Sequence, residues 1–257
     1  MKAAAIREAA AYLARCWQIG FTMPELPEGC RPKTLAEGMR VQDALAAELG
    51  FPVGGWKVGC TSAFAQKYLK IKMPIAGRVF ATRIFPSGTT LPPSGHRGIE
   101  GEFAFVLGRD LPPRRKPYTR AEMRAAVKTM HPAIEIIDPR FADWLKVNAA
   151  SIIADMAGNA ALVVGPPVAR WRSLDLRQQR VRVRAGGKVV GEGTGADALG
   201  DPLLVLAWLA NHLRTRGGLK AGQIATTGTC TGLFLAPVGT EVTADFGKLG
   251  KVRVTFE

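Results

Sequence analysis

Glu100, Glu102 and Glu135 each stand in an otherwise apolar run with the pattern of a β-strand. The runs are Gly98-Ile99-Glu100-Gly101-Glu102-Phe103-Ala104-Phe105-Val106-Leu107 and Ala133-Ile134-Glu135-Ile136-Ile137-Asp138. Side chains alternate along a strand, so Glu100 and Glu102 share a face and their carboxylates can share a ligand. Two like charges held together disfavour one another unless a proton or a cation intervenes. A hard divalent ion such as Mg²⁺ or Mn²⁺ resolves the conflict, because it prefers carboxylate oxygen and keeps positions open for water or substrate. Glu at every second position is also ordinary on the solvated face of an antiparallel strand. The third Glu, inside Ile-Glu-Ile-Ile, adds weight to the metal reading.

The elements that must carry these residues can be read from caps and periodicity. Residues 1–53 read as a helical section. Its first helix, about Ala3 to Gln18, sets Ile6, Leu13 and Trp17 among alanines, and a Pro/Gly-rich connection follows. The capping box Thr34-Leu35-Ala36-Glu37 opens a second helix that closes at Gly50. Residues 54–257 read as a β-rich domain, with strands at roughly 54–60, 79–81, 98–108, 132–138, 160–164, 180–185, 188–193, 223–227, 241–245 and 251–256. Val183 to Val189 has the form of a hairpin with a Gly186-Gly187 turn. Asp201-Pro202 is a helix start, a cap followed by proline at the first helical position, and that helix runs through Leu203, Leu206, Leu209 and Leu213. The fold class is α+β, a β-rich domain behind a helical start.

With 257 residues, 47% hydrophobic and 22% charged, the chain is long and apolar enough for a sizeable core and is not a disordered sequence. Its amino terminus lacks the uninterrupted apolar core of a signal peptide. The apolar stretch near Leu203 to Leu209 is about half the length of a membrane span. A soluble, cytoplasmic protein is expected, with no membrane partner. Cys16, Cys30, Cys60 and Cys230 have no paired spacing for zinc or redox chemistry, and His96, His131 and His212 are widely scattered. The net charge of +14 raises the question of nucleic acid. Basic residues cluster from Arg109 to Lys116 and from Arg170 to Arg184, where Arg180, Arg182 and Arg184 alternate with Val181 and Val183. Neither cluster interleaves several aromatics and no nucleic-acid module is apparent, so nucleic acid is not the expected partner. A positive field favouring small anionic substrates fits the same charge.

Seven segments, in order, carry a resemblance. They are Gly55-Trp56-Lys57-Val58-Gly59-Cys60-Thr61-Ser62, the two glutamate runs, Gly193-Thr194-Gly195-Ala196-Asp197-Ala198-Leu199-Gly200-Asp201-Pro202, Leu206-Ala207-Trp208-Leu209-Ala210-Asn211, Thr227-Gly228-Thr229-Cys230-Thr231-Gly232 and Ala244-Asp245-Phe246-Gly247-Lys248-Leu249-Gly250. Together they resemble the 2-keto-4-pentenoate hydratase / 4-oxalocrotonate decarboxylase family, within the fumarylacetoacetate hydrolase superfamily. The resemblance implies a mixed β-roll, a Mg²⁺ or Mn²⁺ ion on Glu100, Glu102 and Glu135, and a homo-oligomer. It also implies a small anionic 2-oxo acid as substrate, and leaves room for a catabolic enzyme partner.

On that footing the expected activity is metal-dependent hydration of a 2-hydroxy-alkadienoate in aromatic catabolism. Decarboxylation of a 4-oxalocrotonate-like diacid is the nearest alternative, the arginine surplus being able to hold a second carboxylate. Hydrolysis of an acylpyruvate and a non-catalytic binding role are further alternatives. Lys57, between Trp56 and Val58, is the candidate proton carrier or carboxylate partner, since desolvation favours the neutral amine; a snorkelling lysine is the other reading. Thr229 and Thr231 are candidate substrate contacts, or ordinary turn residues. His131 is read as structural, and His96 as able to approach the site from a mobile loop. Two stretches depart from related hydratases: Met73 to Gly77 lacks their acidic residue, and Asp155-Met156-Ala157-Gly158 replaces their Asp-Asn-Ala-Ser.

Overall fold

The computed structural model describes residues 1–92 and 95–257. Its helices are α1 (Ala3–Ile19), α2 (Leu35–Leu49), α3 (Ala63–Tyr68), α4 (Arg120–Ala126), α5 (Ala149–Ala154) and α6 (Pro202–Leu213). The strands begin with β1 (Val53–Gly59), β2 (Ile75–Phe80), β3 (Ile84–Pro86), β4 (Thr89–Leu91), β5 (Gly98–Leu107), β6 (Val127–Ile137) and β7 (Asn159–Val164). They continue with β8 (Arg180–Ala185), β9 (Lys188–Thr194), β10 (Ile224–Thr226), β11 (Phe234–Leu235), β12 (Glu241–Asp245) and β13 (Lys251–Phe256).

Two mixed sheets form. The larger runs β2-β1-β10-β5-β6-β7-β3, with β11 paired to the start of β5, and the smaller runs β4-β13-β12-β8-β9. Alternation along β5 divides its residues between two environments. Phe103 points toward the smaller sheet, where it meets Phe246 edge-on with centroids 5.4 Å apart. Glu100, Glu102 and Ala104 take the opposite face.

The helical start packs into the same apolar core as the sheets. Thr34 and Glu37 form the capping box of α2, and Gly50 ends the helix in the left-handed conformation. Buried Gln42 ties α2 to its surroundings by donating to the Ala76 and Ile153 carbonyls. Buried Asp155 accepts from Trp17 Nε1 at 2.9 Å and from the Arg140 backbone N–H at 2.7 Å. It also pairs with the Arg140 guanidinium at 2.9 Å, which stacks 4.0 Å from the Trp17 ring. One carboxylate thus joins α1, the segment after β6 and the end of α5.

Several elements were not anticipated. Strand β6 begins at Val127, five residues before Pro132, which reads in sequence as a strand boundary. Its missing N–H is tolerated because pairing with β7 starts only at Ala133. Strands β3, β4 and β11 and helices α3 to α5 are too short to show periodicity, although Thr119 and Glu122 form a second capping box at α4. The Gly186-Gly187 hairpin and the Asp201 cap with Pro202 form as expected. Much of the positive charge is held in ion pairs: Arg180 and Arg182 both reach Glu192, and Arg114 reaches Glu122.

Removing one partner of a buried ion pair leaves an uncompensated charge. Asp155→Ala is therefore expected to cost about 3 kcal/mol of folding free energy, read as a lower urea midpoint; an unchanged midpoint would refute the anchoring role of Asp155.

Candidate active site

Glu100 lies directly opposite Glu135 across the β5–β6 ladder, and Glu102 lies two residues further along β5. Ligand oxygens of the three carboxylates fall within 4.8 Å of one another. Glu102 and Glu135 are wholly buried, while Glu100 lines an adjoining cavity. Glu102 Oε2 accepts the Gly228 N–H at 2.9 Å, and Glu135 Oε1 accepts the Asn159 side-chain amide at 2.9 Å. Glu102 Oε1 and Glu135 Oε2 are buried without a partner. Buried polar atoms are seldom left so, and orphaned hard oxygens are what a divalent cation would satisfy.

Lys57, on β1, is buried with its Nζ 3.4 Å from Glu135 Oε1. When all three are ionised, three carboxylates against one ammonium leave two negative charges uncompensated, which a divalent ion would balance. Burial pushes Glu102 well above the usual carboxylate range, and repulsion from Glu135 and Glu100 adds to it. Glu100 is pushed up to about 7, chiefly by burial, with Lys57 opposing and Glu135 reinforcing. Lys57 departs from the expectation of a neutral amine. Desolvation is the largest influence and lowers it, but Glu135, Glu100 and Glu102 together outweigh burial and hold the ammonium above its ordinary value.

Backbone geometry around the carboxylates has little slack. Gly228 adopts φ +80°, and a Cβ there would lie 2.3 Å from Thr61 Oγ1. Only glycine lets this amide reach Glu102 while passing so close to β1's exit. Thr229 lines the cavity, its hydroxyl donating to the Gly232 carbonyl at 3.0 Å. Thr231 is turned toward β5, where its hydroxyl accepts the Gly101 N–H at 3.1 Å, and it is not a lining residue.

The cavity, of about 390 Å³, takes polar groups from Lys57, Cys60, Thr61, Ser62, Glu100 and Thr229. Cys60, Thr61 and Ser62 are contributions that sequence reasoning gave no role, although they sit in a quoted segment directly after the Lys57 strand. Burial pushes the Cys60 thiol up to about 11. Other parts of the wall come from α3 and from Trp144 and Leu145 before α5. Both departing stretches reach this wall through apolar groups, Ile75 and Ala157, while the Met156 side chain is buried in the core. His96 does not approach the carboxylates: its Nε2 meets the Phe141 carbonyl at 2.9 Å and its backbone N–H donates to Asp138. His131 is held between the Gly165 carbonyl and the Thr129 hydroxyl.

The fumarylacetoacetate hydrolase C-terminal family model matches residues 59–257. A 2-keto-4-pentenoate hydratase of Burkholderia vietnamiensis is 32% identical over 98% of this chain and 97% of its own. The 4-oxalocrotonate decarboxylase of Pseudomonas putida G7, solved with magnesium and adipate, superposes with a TM-score of 0.91 at 26% identity, covering 100% of this chain and 99% of that one. The same decarboxylase solved with calcium and acetate gives a TM-score of 0.90 at 25% identity, with the same coverage. Divalent cations therefore accompany this fold in its structural relatives.

In metal-free protein the Glu100 carboxyl, at about 7, lies above the ordinary 4.5 of glutamate. The folded chain then keeps a proton that the unfolded chain loses, so this group's stabilisation is full below the unfolded value and declines as pH rises through the folded one. With chelator present, the melting temperature of Glu100→Gln is expected to rise relative to wild type between about pH 5 and pH 8. A difference that stays constant over that range would contradict the raised carboxyl.

Proposed function

The chain belongs to the fumarylacetoacetate hydrolase family, and from that premise we propose that it is a divalent-metal-dependent lyase hydrating a 2-hydroxy-alkadienoate, or its 2-oxo tautomer, in aromatic catabolism. The observation that carries the reading is the trio of converging carboxylates with two orphaned buried oxygens, beside a buried lysine and at the end of an apolar cavity. Glu100, Glu102 and Glu135 would hold the cation, with Mg²⁺ or Mn²⁺ suited to an all-carboxylate set. When bound, it supplies Lewis-acid stabilisation of the negative charge that builds on the substrate's C2 oxygen.

Hydration requires two proton movements around that oxygen. The dienol first becomes a conjugated 2-oxo-alkenoate by losing its hydroxyl proton and gaining one on carbon. Water then adds across the remaining double bond. Lys57 holds its proton at Nζ beside Glu135, in position to serve these transfers. Once the carboxylates around it are neutralised, desolvation is the influence left, and it favours the amine; Lys57 can therefore carry a proton both ways. Thr229 would meet the substrate from the cavity lining while its hydroxyl braces the loop through Gly232 and the Thr231 N–H, and Thr231 holds the same loop against β5 through Gly101. Asn159 fixes the orientation of Glu135.

The close superposition on a decarboxylase supports a second reading, loss of CO₂ from a 4-oxalocrotonate-like diacid, in which the same 2-oxo group is the electron sink. The proposal also includes a cytoplasmic setting and a homo-oligomer, for which Tyr12, Ile19 and Phe21 leave exposed apolar area at α1.

Ultraviolet-monitored turnover of 2-hydroxypenta-2,4-dienoate and of 4-oxalocrotonate, each with Mg²⁺, Mn²⁺ or EDTA, separates the readings. Metal-dependent loss of the dienoate is expected, and turnover that survives EDTA would refute the metal-dependent mechanism. Glu102→Gln is expected to stay folded but lose metal by elemental analysis. Lys57→Ala is expected to keep metal and lose at least about a hundredfold in kcat, in line with general acid–base catalysis; near-normal rates would remove Lys57 from the chemistry.

A further inference from the structure

The cavity beside the carboxylates is lined mostly by apolar side chains. Beyond Lys57 and Thr229 it is walled by Phe64, Tyr68, Leu69, Trp144, Leu145 and Leu233, over a floor that includes Ile75, Ile137 and Ile152. Its volume of about 390 Å³ falls in the range of about 300–1,000 Å³ that takes drug-sized ligands, well beyond a five-carbon acid. Among the described residues Lys57 is the one cationic residue in the lining, and it is already committed to Glu135. No arginine lines the cavity among the described residues, whereas Arg180 and Arg182 are paired with Glu192 elsewhere. Several wall residues also face solvent: Phe64 is 80% exposed, Tyr68 50% and Leu145 50%. Clustered exposed apolar side chains mark an interaction surface, and these three belong to the cavity lining itself.

Building on the lyase reading of the same site, we infer that the substrate is a monocarboxylate whose far end is an extended alkyl or aryl tail. A second carboxylate at that end is selected against. Its charge would give up part of its hydration against Phe64, Trp144 and Leu145 and find no basic side chain among the described lining residues, and a charge that loses water without gaining a partner is disfavoured. An apolar tail instead gains by leaving water, at about 0.8 kcal/mol per methylene, which is roughly fourfold in affinity.

The test measures binding separately from turnover. Mg²⁺-loaded protein is titrated calorimetrically with 2-oxopentanoate, 2-oxohexanoate, 2-oxooctanoate and 2-oxoadipate. Affinity is expected to rise about fourfold for each added methylene, and 2-oxoadipate is expected to bind at least about tenfold more weakly than the equally long 2-oxohexanoate. Equal or tighter binding of 2-oxoadipate would overturn the inference. Leu145→Arg, a half-exposed position, is expected to narrow or invert that gap, and a gap unchanged by the substitution would show that the tail does not lie on this wall. If the chain-length series holds while the pentadienoate and 4-oxalocrotonate are not turned over, the lyase reading falls and the tail preference stands. Turnover of the dienoate with a diacid preference among the 2-oxo acids gives the reverse result.

Discussion

Negative charge concentrated inside an apolar sheet is the constraint on which the rest of the site depends. Glu102 and Glu135 are fully buried and Glu100 is directly across the ladder from Glu135, a set that burial and mutual repulsion both oppose. The surroundings answer the charge piece by piece. Lys57 gives an ammonium, Asn159 an amide and Gly228 a backbone N–H, and two oxygens are still without partners. Such an arrangement is costly as structure alone. It is intelligible as a cradle whose remaining charge matches a divalent ion.

That cradle works only because the frame around it resists relaxation. Glu100 and Glu102 ride on a ten-residue strand whose other face is fixed against the smaller sheet through Phe103 and Phe246. The loop supplying Gly228 passes too close to Thr61 for any side chain, and Thr231 ties its far side to Gly101. On the helical side, Asp155 and Gln42 satisfy buried polar groups while joining the amino-terminal helices to β2 and α5. The carboxylates are thus brought together by packing that extends well beyond them, which prevents the sheet from opening to relieve the repulsion.

The positive charge of the chain has a different place. Arginines on β8 and near α4 are engaged with Glu192 and Glu122, so the basic clusters of the sequence are laced surfaces in the fold. The net excess still gives a field that attracts anions, while the cavity itself is lined mostly by apolar side chains. The charged surface and the apolar cavity are therefore separate parts of the molecule.

Local rules were enough to determine much of this protein from its sequence. Alternation placed Glu100 and Glu102 on one strand face, and caps at Thr34, Gly50 and Asp201 set helix ends, because these depend on neighbours within a few residues. The ordered segments from Gly55 to Gly250 were enough to identify the family. What only the tertiary structure decided is non-local. The β5–β6 register set Glu135 opposite Glu100, and the meeting of β1 with that pair made Lys57 a charged partner where its own segment implied a neutral amine. His96 was turned away to Phe141, and α3 and Trp144 formed the cavity wall. Electrostatics and cavity shape sum over residues far apart in the chain, so no local pattern carries them until the chain is folded.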